Sequence, residues 1–181
     1  MTSLLAALAL LAACESADEK CARARDEAQA TWTSYVVSLE SAMEDARDTQ
    51  RTGKEQMSAH EQRLSEPVKR DADARYERAS GAWMRAFESG MHKACSADPD
   101  CDQLKQALAK ADDVLDEFGQ RLEPAKRAQA AMALTVDEAK QASEAVPIHA
   151  GSPVAKAAQA STGAMAEQCE GLPPPKPDES P

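Results

Sequence analysis

Between Ala17 and Thr49 the small and apolar side chains fall at 17, 21, 24, 28, 31, 35, 39, 42, 46 and 49, in steps of four and three throughout. Such spacing returns side chains to one face of an α-helix, whereas a strand would need a period of two. Trp32, Val36 and Met43 widen the seam into the broader stripe of a bundle helix. A chain that opens with this pattern is committed to helices packed on helices.

Two more seams follow. Val68, Ala72, Tyr76, Ala79, Trp83, Phe87, Gly90 and Ala94 form the second, ending at Cys95. Cys101, Leu104, Leu108, Ala111, Leu115, Phe118, Leu122 and Ala125 form the third. Gly53 and the Ser65-Glu66-Pro67 triplet place the tip of the first hairpin between residues 52 and 66. Ser96-Ala97-Asp98-Pro99 reads as a tight connection, with Asp98 capping and Pro99 opening the next helix. Pro124 is expected to kink the third helix rather than end it, because the apolar pattern continues to Met132. Thr135-Val136-Asp137-Glu138 has the form of a capping box and marks a restart. A loop from Val146-Pro147 to Ser152-Pro153 leads to a short last helix, Val154 to about Cys169. The expected fold is all-α: an elongated antiparallel bundle of three to four helices, stapled by disulfides.

The composition makes the staples matter. Hydrophobic residues reach 43% but aromatic ones only 3%. Alanine at a core position contributes far less than the roughly 1.5–3 kcal/mol of a buried Leu or Phe. A formal net charge of −10 argues against nucleic acid as a partner and against adsorption on anionic headgroups.

Residues Leu4 to Ala13 form a charge-free Leu/Ala run, too short to span a bilayer as a helix of about 20 residues. It reads as a secretory apolar segment. Its end, Leu11-Ala12-Ala13-Cys14, resembles the lipobox of bacterial lipoproteins, although Met1-Thr2-Ser3 lacks the basic residue usual in that family. The resemblance implies cleavage before Cys14, acylation of Cys14, and a protein tethered to a lipid bilayer. Several acyl chains exceed what stable anchoring requires. Glu15 follows the cysteine where an aspartate would imply inner-membrane retention, so the outer membrane's periplasmic face or the cell surface is expected. The chain then divides into a signal peptide (1–13), a helical bundle domain (14–170) and a Pro-rich tail (171–181) expected to be disordered.

Four cysteines remain: Cys21, Cys95, Cys101 and Cys169. An even number in an exported chain points to two disulfides. Residue 58 lies midway between Cys21 and Cys95, inside the expected first tip, and residue 135 midway between Cys101 and Cys169. Pairing Cys21–Cys95 and Cys101–Cys169 would staple each hairpin at its base. Cys21–Cys169 with Cys95–Cys101 would instead join the termini and clamp the tight connection. The hairpin staples are the preferred reading, with all four sulfurs gathered at the end nearest Cys14. A loop of about 75 residues is worth roughly 4.4 kcal/mol in the chain-entropy model and one of about 7 residues roughly 2.3 kcal/mol.

Catalytic and metal motifs were sought without success. His92, Cys95 and Cys101 lack the partner spacing of a zinc site, and Asp98, Asp100 and Asp102 lack the glycine and distal glutamate of a calcium loop. No G-x-S-x-G elbow, H-E-x-x-H or phosphate-cradling glycine loop occurs. His60 and His149 fall in expected tips or loops, and Lys69 to Arg78 reads as a solvated face. Trp32, Tyr35, Trp83 and Phe87 are the candidate lining of a ligand pocket between two antiparallel helices, and otherwise large core fillers. The function expected is that of a lipid-anchored structural or adaptor lipoprotein of the bacterial cell envelope, not an enzyme and without cofactor, with an envelope protein as its partner. The alternative is a ligand-binding or enzyme-inhibiting periplasmic lipoprotein, loosely similar to helical lysozyme inhibitors.

Overall fold

In a computed structural model, the described residues are 16–76, 80–147 and 152–174. They hold five helices and no strand: α1 (Ala17–Arg75), α2 (Ser80–Ala97), α3 (Pro99–Ala131), α4 (Val136–Glu144) and α5 (Pro153–Gln168). The all-α, disulfide-stapled bundle expected from the seams is the fold observed.

Local chemistry accounts for where most helices start. The amide of Ser16 donates to Glu19 Oε2 at 2.8 Å while the Glu19 amide donates to Ser16 Oγ at 3.2 Å, a capping box at the head of α1. The expected box at Thr135 and Glu138 is present, with the Thr135 amide donating to Glu138 Oε2 at 3.1 Å. The Thr135 hydroxyl, donating to the same oxygen at 2.6 Å, and then that amide hold the Glu138 carboxyl below its ordinary range. Asp98 Oδ1 accepts from the amides of Asp100 and Cys101, and Ser152 Oγ accepts from Ala155, with Pro153 in the first turn.

The tip expected between 52 and 66 is not there: α1 runs through both Gly53 and Pro67. Pro67 deprives the helix of one bond to the carbonyl of Arg63, a local cost that tertiary packing outweighs. Gly53 is a close-approach position rather than a break. A β-carbon there would stand 2.9 Å from Leu108 Cδ2, so only glycine lets α3 come this near without a shift. The first helix ends instead at Arg75, and the second begins at Ser80.

The contacts divide the chain into two compact units, Met1–Ser41 with Gly119–Pro181 and Ala42–Phe118. In the first unit α3 runs antiparallel to α1: Arg25 bonds the carbonyls of Met132 and Leu134, Thr33 meets Gln129, and Lys126 Nζ lies 2.7 Å from Glu40. The hydrogen bond to Glu40 raises the Lys126 pKa. α5 lies along α1 as well, with Trp32 Nε1 donating to Thr162 Oγ1 at 2.8 Å, and α4 pairs with α5. The core so formed is closed: Trp32, Met165, Ala28, Ala125, Ala128, Ala139, Ala155 and Ala158 are fully enclosed.

In the second unit α2 and the first part of α3 follow one another back along α1. Asp73 meets Trp83, Val68 meets Gly90, His60 meets Asp98, Met57 meets Cys101, Gly53 meets Leu108 and Gln50 meets Asp112. This is a helical hairpin, and its seam is only partly closed. Leu64, Leu104, Leu108 and Leu115 are all half-buried.

Candidate functional site

The disulfides are Cys21–Cys169 and Cys95–Cys101. The preferred hairpin staples are therefore corrected, and the displaced tip explains why. Because α1 runs on to Arg75, the end of α2 comes beside the Met57–His60 stretch of α1, where Cys95 pairs with Cys101. Cys101 Sγ lies 3.8 Å from Met57 Sδ. One bridge belongs to the first unit and the other to the second. Cys14, the expected acylation site, lies outside the described residues, as do His149 and the tail from 175 on.

The four candidate pocket aromatics divide two and two between the units. Trp32 and Tyr35 form an edge-on pair in the first unit, with ring centroids 5.9 Å apart and both side chains enclosed. Trp83 and Phe87 stack at 5.1 Å in the second, where Trp83 Nε1 donates to Asp73 Oδ1 at 2.9 Å. The first pair fills a core, and the second covers part of a hairpin seam.

Two polar constellations escape sequence reading. Arg25 is 8% exposed, and its Nη1 donates to the carbonyls of Met132 at 2.9 Å and Leu134 at 2.8 Å, satisfying acceptors that the end of α3 leaves open. Its Nη2 is buried and without a hydrogen-bond partner among the described residues. Burial lowers the Arg25 pKa. The i, i+4 step from Cys21 to Arg25 along the seam was the available signal, since it sets a cation at a core position.

The second constellation sits at the break between α2 and α3. His60, far from being solvated in a loop, is in mid-helix with its side chain 10% exposed and Nε2 3.0 Å from Asp98 Oδ2. Arg63 Nη2 reaches the same carboxylate at 3.3 Å and His60 Nδ1 at 3.0 Å. Asp98 thus caps α3 with one oxygen and ties α1 with the other. The His60 hydrogen bond, followed by the amides of Cys101 and Asp100, holds its carboxyl below the usual range. His60 and Arg63 are three apart and share a helix face, a pattern that shows only once α1 runs unbroken through both.

Beside this cluster lies an open cleft of about 740 Å³ lined by Gln56, Ala59, His60, Arg63, Asp100, Gln103, Leu104 and Ala107. Its lining offers hydrogen-bonding and ionic groups but no hydroxyl or thiol nucleophile. Among the described residues no group of three or more His, Cys, Asp or Glu is placed to hold a metal ion. What the arrangement does chemically is fasten: cap, ion pairs and disulfide clamp the α2–α3 break onto α1. No family model matches the chain, and comparison with curated proteins and with solved structures finds no match.

Proposed function

We propose that the protein is a lipid-anchored structural or adaptor lipoprotein of the bacterial cell envelope, held on a membrane leaflet through acylated Cys14. The observation that carries this reading is the pair of closed disulfides, which use all four cysteines left beyond Cys14 and suit an oxidising compartment outside the cytoplasm. Among the described residues no helix is long and apolar enough to cross a membrane, so in this reading the lipid does the anchoring. The fastening chemistry supports a scaffold over a catalyst: the best-formed polar cluster joins helices and faces no nucleophile. An envelope protein is the expected partner, and neither a cofactor nor nucleic acid enters the proposal.

The test is metabolic labelling with a palmitate analogue in a bacterial host, comparing the native chain with Cys14→Ser. The native chain should take up label and fractionate with membrane, and the variant should lose both. A variant that still partitions with membrane, or a native chain that takes up no label, would sink the anchor.

A further inference from the structure

The two flanks of the hairpin in the second unit are unlike each other. One is charged, with Arg47, Lys54 and Glu61 of α1 beside Lys105 and Asp112 of α3, as a two-stranded coil exposed to water requires. The other carries Ala42, Thr49, Ala59, Ala107 and Val114 at the corresponding heptad positions. Along it runs a groove of about 360 Å³ between Ala42 and Phe118, and then, across Ala107, the cleft beside His60. In the first unit the same heptad positions are Ala28, Thr31 and Tyr35 on α1 and Ala128 on α3. There α5 covers the flank, with Thr31 Oγ1 2.5 Å from Ser161 Oγ and Met132 Sδ 3.7 Å from Thr162 Oγ1. Continuity of register says that this flank is built to be covered by helix.

The rim charges say by what. At one end Asp45 of α1 and Lys110 of α3 border the groove; at the other, Arg63 of α1 and Asp100 of α3 border the cleft. The sign reverses along each helix. Residue 54 is midway between Asp45 and Arg63, and residue 105, which lies across from it in the antiparallel register, is midway between Lys110 and Asp100. A two-fold axis through that level, perpendicular to the helices, sets each Asp45 against the Arg63 of a second copy and each Lys110 against its Asp100. Arg63 leans on Asp98 but remains 63% exposed and within reach.

We propose that a second copy of this chain occupies the flank, hairpin on hairpin and antiparallel, closing a four-helix bundle in the second unit. A closed two-fold dimer buries the same patch twice and leaves no open end. The antiparallel orientation, in which the uncharged Gln56, Gln103 and Ala107 lie near the axis and the four rim charges pair at its ends, is the one assigned. The dimer goes beyond the envelope reading and holds with or without acylation.

The test is sedimentation equilibrium on the full chain carrying Cys14→Ser, which removes the acylation site. A dimer is expected at roughly 100 µM, and Lys110→Glu should raise its Kd about tenfold by setting Glu against Asp100. Adding Asp100→Lys should restore the dimer. Ala107→Arg, on an exposed groove position, should give a monomer with unchanged helical circular dichroism. A monomer throughout, or a dimer indifferent to Ala107→Arg, would overturn the proposal. Rescue by Asp45→Lys instead of Asp100→Lys would overturn the antiparallel arrangement, because only a parallel pair sets Lys110 against Asp45.

Discussion

The two units are made of the same vocabulary and reach different densities. In the first, α1 and α3 are joined by α4 and α5, and even alanines are sealed from solvent, with Ala28, Ala125, Ala128 and Ala158 all at 0% exposure. In the second, among the described residues, α1 faces only α2 and the first part of α3. Leucines there stay half-buried, and the closed positions, Met43 apart, are small ones such as Ala46, Gly53, Ala72 and Ala111. The difference teaches that an alanine-rich seam becomes a core only when three or more helices surround it. A hairpin buries a line of side chains, while a bundle buries a volume.

The crosslinks divide in the same way, and they offer the largest expected effect. Cys21–Cys169 closes a sequence separation of 148 residues and Cys95–Cys101 one of 6. The chain-entropy model assigns about 5 kcal/mol to the first and about 2 kcal/mol to the second. Replacing both cysteines of the long bridge with serine should lower the urea midpoint well beyond the matching change at the short one. Equal losses would mean that the two units do not draw differently on their staples.

Truncating an aromatic probes the packing itself. Trp32→Ala should cost about 3–5 kcal/mol, since the ring is enclosed and its indole bonds Thr162. Trp83→Ala, at a half-buried ring, should cost well under half of that in the same denaturation series. Arg25→Met is expected to fall between them, at roughly 1–3 kcal/mol, because it strands the buried carbonyls that close α3.

Much of this was legible before any coordinates. Caps are local chemistry, so Thr135, Asp98 and Ser152 announce their helices correctly, and the third seam carries α3 through Pro124 as expected. The tip was misplaced because Gly53 and Pro67 are breakers only in isolation. Gly53 answers to Leu108, which is remote in sequence, and no local pattern displays that demand. From the misplaced tip came the wrong disulfide preference and the placing of His60 in a loop. Ser16 and Glu19 at the head of α1, by contrast, carry a capping-box signal that a reader of the sequence can find.

The smallest effect sharpens the second unit alone. The Asp98 carboxyl is held below its ordinary value, so its stabilisation is complete above the unfolded-state pKa near 3.8 and is lost as pH falls through the folded value. Acidification below about pH 4 should therefore release the α2–α3 break before the first unit's core opens. Asp98→Asn should flatten that part of the acid transition, followed through Trp83 fluorescence with Trp32 replaced by Phe. An acid transition unchanged by Asp98→Asn would remove His60 and Asp98 from the account.

One helix crosses from a filled bundle into an open hairpin, and hydrogen exchange along α1 measures that directly. Dilute full chain carrying Cys14→Ser, below the concentration at which copies pair, should show amides at 28–39 exchanging near the rate set by global unfolding. Amides at 54–75 should exchange faster by about two orders of magnitude or more, through local opening. Uniform protection from Ala28 to Ala72 would contradict the account, because it would mean that the hairpin is as closed as the bundle.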